Sequence, residues 1–109
     1  MNFKIVYSDG FKRSVKRLTK KYHSLKVDLE SLIASLEQNP TQGEPLGKNC
    51  YKIRVLISSK EKGKSAGARV ITYVYGLKKL VYLLSIYDKS EQETISAKAL
   101  TSILDTIEK

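Results

Sequence analysis

The chain has 109 residues, enough for one domain with one core and too few for a separate substrate domain. Its 41% hydrophobic and 28% charged residues match a globular protein rather than a disordered one, and the single cysteine, Cys50, excludes an internal disulfide and a Cys-only metal cage. The net charge is +9, and it is concentrated: Lys48 to Lys79 hold nine Lys or Arg residues and one acid, Glu61. Cations clustered in one stretch suit a polyanion, because each neutralised phosphate releases counterions.

A lone cysteine fits a reducing compartment. The first ten residues contain Lys4 and Asp9 and no long apolar core, so they do not read as a secretory signal. No apolar run approaches membrane-spanning length. The expectation is a soluble, cytoplasmic protein with no membrane partner.

In chain order, Phe3 to Tyr7 is a short β-rich run that stops at Asp9-Gly10. Phe11, Val15, Leu18 and Tyr22 then recur at helical spacing, with Lys12, Arg13, Lys16, Arg17, Lys20 and Lys21 between them, which predicts a helix with a basic exposed face. Ser24 is placed to cap a second helix, whose stripe is Leu25, Leu29, Leu32, Ile33 and Leu36 and which ends before Asn39-Pro40. Two amphipathic helices with so short a joint predict a helical hairpin packed on a sheet.

Residues 40–50 hold both prolines and two of the six glycines and read as a loop. From Tyr51 the period becomes two: Tyr51, Ile53, Val55 and Ile57 face one way, Lys52 and Arg54 the other. Strands over Arg69–Tyr75 and Leu80–Tyr87 follow, separated by a tight turn containing Gly76. The stripe Leu100, Ile103, Leu104, Ile107 predicts a C-terminal helix capped by Ser96. The order is β-α-α-β-β-β-α, an α+β fold in which consecutive strands form an antiparallel meander.

The chemistry concentrates around Ser58–Gly67, where Lys60, Lys62 and Lys64 alternate between Lys52/Arg54 and Arg69. A meander would bring Lys52, Arg54, Arg69, Tyr87 and Lys89 onto one surface. The plain alternative is a solvated lysine-rich loop, and composition alone favours it. Gly63-Lys64-Ser65 lacks the earlier glycine and the following helix of a phosphate-binding P-loop, so that reading is rejected. His23 is the only histidine and stands at a helix end, and one His with one Cys makes a zinc site improbable. No cofactor is expected. The carboxylates are scattered, which leaves Lys, Arg and Tyr to carry any catalysis.

Three stretches carry a family resemblance: Tyr-Lys-Ile-Arg-Val (51–55), the Lys/Gly-rich loop running into Gly-Ala-Arg-Val-Ile-Thr-Tyr (67–73), and Tyr-Leu-Leu-Ser-Ile-Tyr-Asp-Lys (82–89). Together with Phe11-Lys12-Arg13 and the Asn39-Pro40 break, they resemble the RelE/ParE toxin superfamily, nearest in appearance to its HigB-like, ribosome-dependent mRNA interferases. The resemblance spans nearly the whole chain. It implies a RelE-like fold, in which an N-terminal strand and helical hairpin pack on a small antiparallel sheet with a C-terminal helix.

It also implies the toxin of a type II toxin–antitoxin pair, cleaving mRNA in the ribosomal A site without a metal. The ribose 2′-OH would attack the adjacent phosphate. Such chemistry needs charge neutralisation, a proton acceptor and a proton donor. Unperturbed Lys and Tyr titrate far above pH 7, although neighbouring cations lower both. By position, the resemblance implies Arg69 as the phosphate clamp, with Lys64, Tyr87 and Lys89 as further catalytic candidates. Tyr87 would stack on a base or orient the 2′-OH. Lys52, Arg54, Lys60, Lys62, Lys12, Arg13 and Lys16 would contact RNA or the ribosome, and which lysine is the base stays open. Implied partners are a cognate antitoxin, the ribosome with its mRNA, and operator DNA only through the antitoxin. Two alternatives keep the same residues: a ParE-like, non-nuclease inhibitor of DNA gyrase, and a plain basic nucleic-acid-binding module.

Overall fold

The structure, a computed structural model, describes residues 2–59, 67–91 and 95–107. Its elements are β1 (Lys4–Tyr7), α1 (Asp9–Lys21), α2 (Leu25–Gln38), β2 (Glu44–Gly47), β3 (Cys50–Val55), β4 (Ala68–Tyr75), β5 (Leu80–Asp88) and α3 (Ala97–Asp105), with a 3-10 turn at Gly76–Lys78 between β4 and β5. The strands form one sheet in the order β1-β5-β4-β3-β2. Strands β2 to β5 are the expected antiparallel meander with one strand added, and β1 joins β5 in parallel.

Strand β2 lies within the stretch read as a loop. Its pairing is short and irregular, with Glu44 opposite Lys52 and a register shift between Pro45 and Gly47. Lys48 and Asn49 both take positive φ, 55° and 62°, which is the backbone of a two-residue hairpin turn matched to strand twist. The prolines and glycines that signalled a loop lie before and within β2, and the turn itself is made by Lys48 and Asn49.

The sheet separates two cores. On one face Ile53, Val55, Ala68, Val70, Val81, Leu83 and Ile86 pack against Phe11, Leu18, Leu25, Leu29 and Leu36 of the helical hairpin. On the other, Cys50, Ile71, Tyr73, Leu84 and Tyr87 pack against Leu100 and Leu104 of α3. The alternation foreseen from Tyr51 holds, and Ile57 is buried beyond the strand end. Helix α3 begins at its expected cap, with the Ser96 hydroxyl accepting from the Ala99 N–H at 3.0 Å.

Helix α1 is tied to the sheet at its first residue. The Ser8 hydroxyl accepts from the Phe11 N–H at 3.1 Å, as a helix cap does, and donates to the Leu84 carbonyl at 3.1 Å. The Ser8 N–H donates to the Leu83 carbonyl at 3.2 Å. Leu83 and Leu84 stand where the β4–β5 register shifts, Ile71 facing Ser85 but Thr72 facing Leu83. The extra residue is a bulge, and Ser8 binds both of its carbonyls.

Ser24 does not cap α2 through its side chain. Its backbone is helical (φ −85°, ψ −6°), and its hydroxyl instead donates to Asp28 Oδ2 at 2.9 Å and accepts from the Ser59 N–H at 2.8 Å. Asp28 also accepts from the Ser58 N–H at 2.9 Å and the Ser58 hydroxyl at 2.6 Å. The start of α2 thereby grips the chain where it leaves β3. Burial alone would raise the Asp28 carboxyl, but the hydrogen bonds from Ser58 and Ser24 outweigh it and hold the group below its ordinary value.

Two outcomes follow from these contacts. The Asp28 contribution to stability should be complete above roughly pH 4, where an unfolded Asp is ionised, and be lost as pH falls through the lower folded value. Asp28→Asn should therefore flatten the acid limb of a denaturation-versus-pH curve. Gly67 has φ +126°, and a Cβ there would lie 2.6 Å from the Val55 carbonyl oxygen. Gly67→Ala should cost about 1–3 kcal/mol or more in urea denaturation, since both the backbone and the contact resist it.

Candidate functional site

Arg54, Arg69 and Tyr87 form a single row across β3, β4 and β5: Arg54 pairs with Arg69, and Arg69 with Tyr87. They alternate with Val55, Ala68 and Ile86 of the first core, so the row lies on the α3 side of the sheet. Directly opposed residues on one face have Cβ atoms roughly 4.5–5.5 Å apart, and like charges so placed repel. Arg69 is half-buried, and its guanidinium donates to the adjacent Ala68 carbonyl at 3.3 Å. Among the described residues no carboxylate pairs with Arg69. Arg54 and Arg69 are thus cross-strand neighbours of like charge on one face, a pairing that an anion between them would relieve.

Tyr87 completes the row but is only 5% exposed. Its ring belongs to the core under α3, so it is not available to stack on a base, the first of the two roles implied for it. Its hydroxyl is buried and has no hydrogen-bond partner, one of two such side-chain atoms among the described residues.

The other expected residues divide. Lys52 sits one row away, opposite Ile71, and its Nζ pairs with Glu44 Oε1 at 3.4 Å. That acid comes from β2, so the cation is partly neutralised by the strand that the sequence concealed. Lys89 follows β5 and is half-buried, with its N–H donating to the Gly67 carbonyl at 3.1 Å. Lys60, Lys62 and Lys64 lie outside the described residues.

The basic face of α1 is split. Lys12 and Lys16 line an apolar groove of about 380 Å³ with Phe11, Val15, Leu29 and Ile33, between the two hairpin helices. That puts them across the sheet from Arg69. Arg13 lines a wider groove of about 950 Å³ with Ser85, Tyr82 and Ile103, on the α3 side. A helix shows different faces at successive positions, and the run of cations concealed this division. Arg17 and Lys21 form ion pairs with Glu91 at 3.4 and 3.5 Å.

Among the described residues no group of three His, Cys, Asp or Glu is placed to hold a metal ion. Cys50 is buried, and burial pushes its thiol up, with Lys48 opposing, so it is a poor nucleophile at neutral pH. The reasoning from sequence missed Asp88, which is fully buried at the end of β5. An acid at a strand end ordinarily reads as solvated, and nothing local distinguishes it.

No helix among the described residues is long and apolar enough to cross a membrane. No family model matches the chain. Among solved structures, a double arginine-to-alanine variant of E. coli toxin RelE in the free state aligns with a TM-score of 0.66, covering 99% of this chain and 100% of that one at 15% identity. The intact E. coli RelBE toxin–antitoxin complex aligns with a TM-score of 0.48, covering 77% of this chain and 93% of that one at 20% identity. The resemblance carried by residues 51–55, 67–73 and 82–89 is thus met by the backbone: this chain has the fold of the toxin RelE.

Proposed function

We propose that this protein is the toxin of a type II toxin–antitoxin pair and that it cleaves mRNA on the ribosome without a metal. The observation that supports the reading is the Arg54–Arg69–Tyr87 row on a RelE-like sheet, which would serve as a site for a phosphate. In the reaction the ribose 2′-oxygen attacks phosphorus and the bond to the 5′-oxygen breaks. The products are a 2′,3′-cyclic phosphate and a 5′-OH. The 2′-OH proton passes to a base on the protein, and the leaving 5′-oxygen takes up a proton.

Arg69 supports the step in which negative charge builds on the phosphorane. A guanidinium already held in the sheet needs little reorganisation when that charge appears. Arg54 supplies a second cation beside it. Tyr87, whose buried hydroxyl has no hydrogen-bond partner among the described residues, is the candidate to orient the 2′-OH. Lys64 and Lys89 are the candidates for proton transfer. Lys52, Arg13, Lys60 and Lys62 would hold RNA or the ribosome near the row. Lys12 and Lys16, on the far side of the sheet, would reach only a surface wrapping around the protein, such as ribosomal RNA.

A cognate antitoxin would cover the row and restrain the activity, and an acidic segment would match it in charge. Any contact with operator DNA would come through that antitoxin. The compartment is the cytoplasm, where ribosomes are.

Two substitutions test the reading. Incubated with mRNA on ribosomes with a vacant A site, the protein should produce mappable new 5′ ends, absent when ribosomes are omitted. Arg69→Ala should lower the rate by roughly 100- to 1,000-fold with the fold intact. A variant as active as the parent would remove Arg69 from the chemistry, and absence of cuts by the parent would remove the nuclease reading. Tyr87→Phe separates stability from activity. Losing an unsatisfied buried hydroxyl should leave the melting temperature unchanged or raise it, while cleavage falls if that hydroxyl serves the substrate. A fall in stability would mean the hydroxyl has a structural partner.

A further inference from the structure

The last strand ends in a buried carboxylate that the proposed chemistry does not use. Asp88 lies back to back with Tyr87, on the helical-hairpin side of the sheet, and none of its surface is exposed. Oδ2 accepts from the Tyr22 hydroxyl at 2.6 Å and from Lys21 Nζ at 3.4 Å. Oδ1 accepts from the Ser90 N–H at 2.9 Å and the Ser90 hydroxyl at 2.8 Å. Two of these donors close the last turn of α1 and the other two begin the turn after β5. Lys21 and Arg17 extend the same tie to Glu91.

A buried charge is costly to desolvate, and an apolar residue of similar size would pack there at no such penalty. What a carboxylate adds is direction. Short hydrogen bonds from two separate segments fix both the distance and the rotation of the strand end, where apolar packing would let it slide. The residue fixed in this way is the immediate neighbour of Tyr87. Ala68 pairs with Asp88 as Arg69 pairs with Tyr87, and the Lys89 N–H to Gly67 carbonyl bond closes the same ladder. The end of α1 is therefore tied to the strand segment that carries Tyr87, although it lies across the sheet from the Arg69–Tyr87 pair.

We propose that Asp88, held by the Tyr22 hydroxyl, is a positioning residue for the Arg69–Tyr87 pair. It acts through the β5 backbone and does not touch substrate. This rests on the nuclease reading for its kinetic consequence but not for its structural one. An apolar or merely stabilising role would alter the melting temperature alone. A positioning role also alters turnover in molecules that remain folded, because small misplacements of a catalytic group cost rate steeply.

The test uses Tyr22→Phe, which keeps the ring in the core, and Asp88→Asn, which keeps the shape of the carboxyl. Both are assayed for ribosome-dependent cleavage at a temperature well below their melting points. Turnover should fall about tenfold or more with KM nearly unchanged, and combining Tyr22→Phe with Tyr87→Phe should cost less than the two separate losses multiplied together. Ile33→Ala, in the helical hairpin, should lose stability while keeping turnover. In parallel, amide hydrogen exchange at Lys89 should quicken about tenfold in Tyr22→Phe relative to the amides of β5. Normal turnover per folded molecule in Tyr22→Phe would overturn the inference. Should the parent protein cut no mRNA, the nuclease reading falls alone, and unchanged exchange at Lys89 would then overturn this one. Failure of Asp88→Asn to fold leaves Tyr22→Phe to decide.

Discussion

The pairing of β4 with its two neighbours is the constraint on which everything else depends. Arg69 is one residue of a strand buried on both faces, and its position is defined only relative to Arg54 and Tyr87. A slip of one residue in either pairing would send the guanidinium into the helical-hairpin core and bring Ala68 or Val70 to the surface. Several devices prevent it. Burial of both faces penalises any slip, the Ser8-bound bulge fixes the β5 register part-way, and Gly67 fits closely against Val55 where β4 begins. At the other edge the Lys48–Asn49 turn sets where β3 starts.

Within this frame the row breaks two local preferences. Two arginines face each other on neighbouring strands, and a buried tyrosine hydroxyl goes without a partner. The unpartnered hydroxyl costs on the order of 1–3 kcal/mol, which substitution would relieve. The second unsatisfied hydroxyl, Thr72, lies at the bulge on the opposite face, where the ladder is interrupted.

The amphipathic stripes of α1, α2 and α3 and the alternation of β3 were legible because each is a local period facing one core. The family resemblance added the RelE-like arrangement, which local periodicity could not. Other features depended on contacts remote in sequence. Strand β2 hides behind Pro45 and two glycines, and only the pairing of Glu44 with Lys52 makes it a strand. The parallel union of β1 with β5 joins Lys4–Tyr7 to Leu80–Leu83, with both hairpin helices and three strands between them in the chain. Ser24 has the look of a cap, yet the approach of Ser58 and Ser59 gives its hydroxyl different partners. In the site, Arg54, Arg69 and Tyr87 were correctly drawn together from the meander. The separation of Lys12 and Lys16 from Arg13 needed the rotation of α1, and the burial of Asp88 needed Tyr22 to be found beside it.

The long-range pairing of β1 with β5 also bears on synthesis. Lys4 to Tyr7 find their partners only at Leu80 to Leu83, and Arg69 acquires Tyr87 later still. During translation the N-terminal strand and hairpin emerge first, with no sheet to cover them. The cationic row is completed only when β5 has left the exit tunnel, since non-local contacts must wait for both ends of the loop they close. A growing chain thus carries its arginines in no fixed geometry past the particle on which the finished protein is proposed to act. The topology delays the completed row until β5 is free to pair with β4.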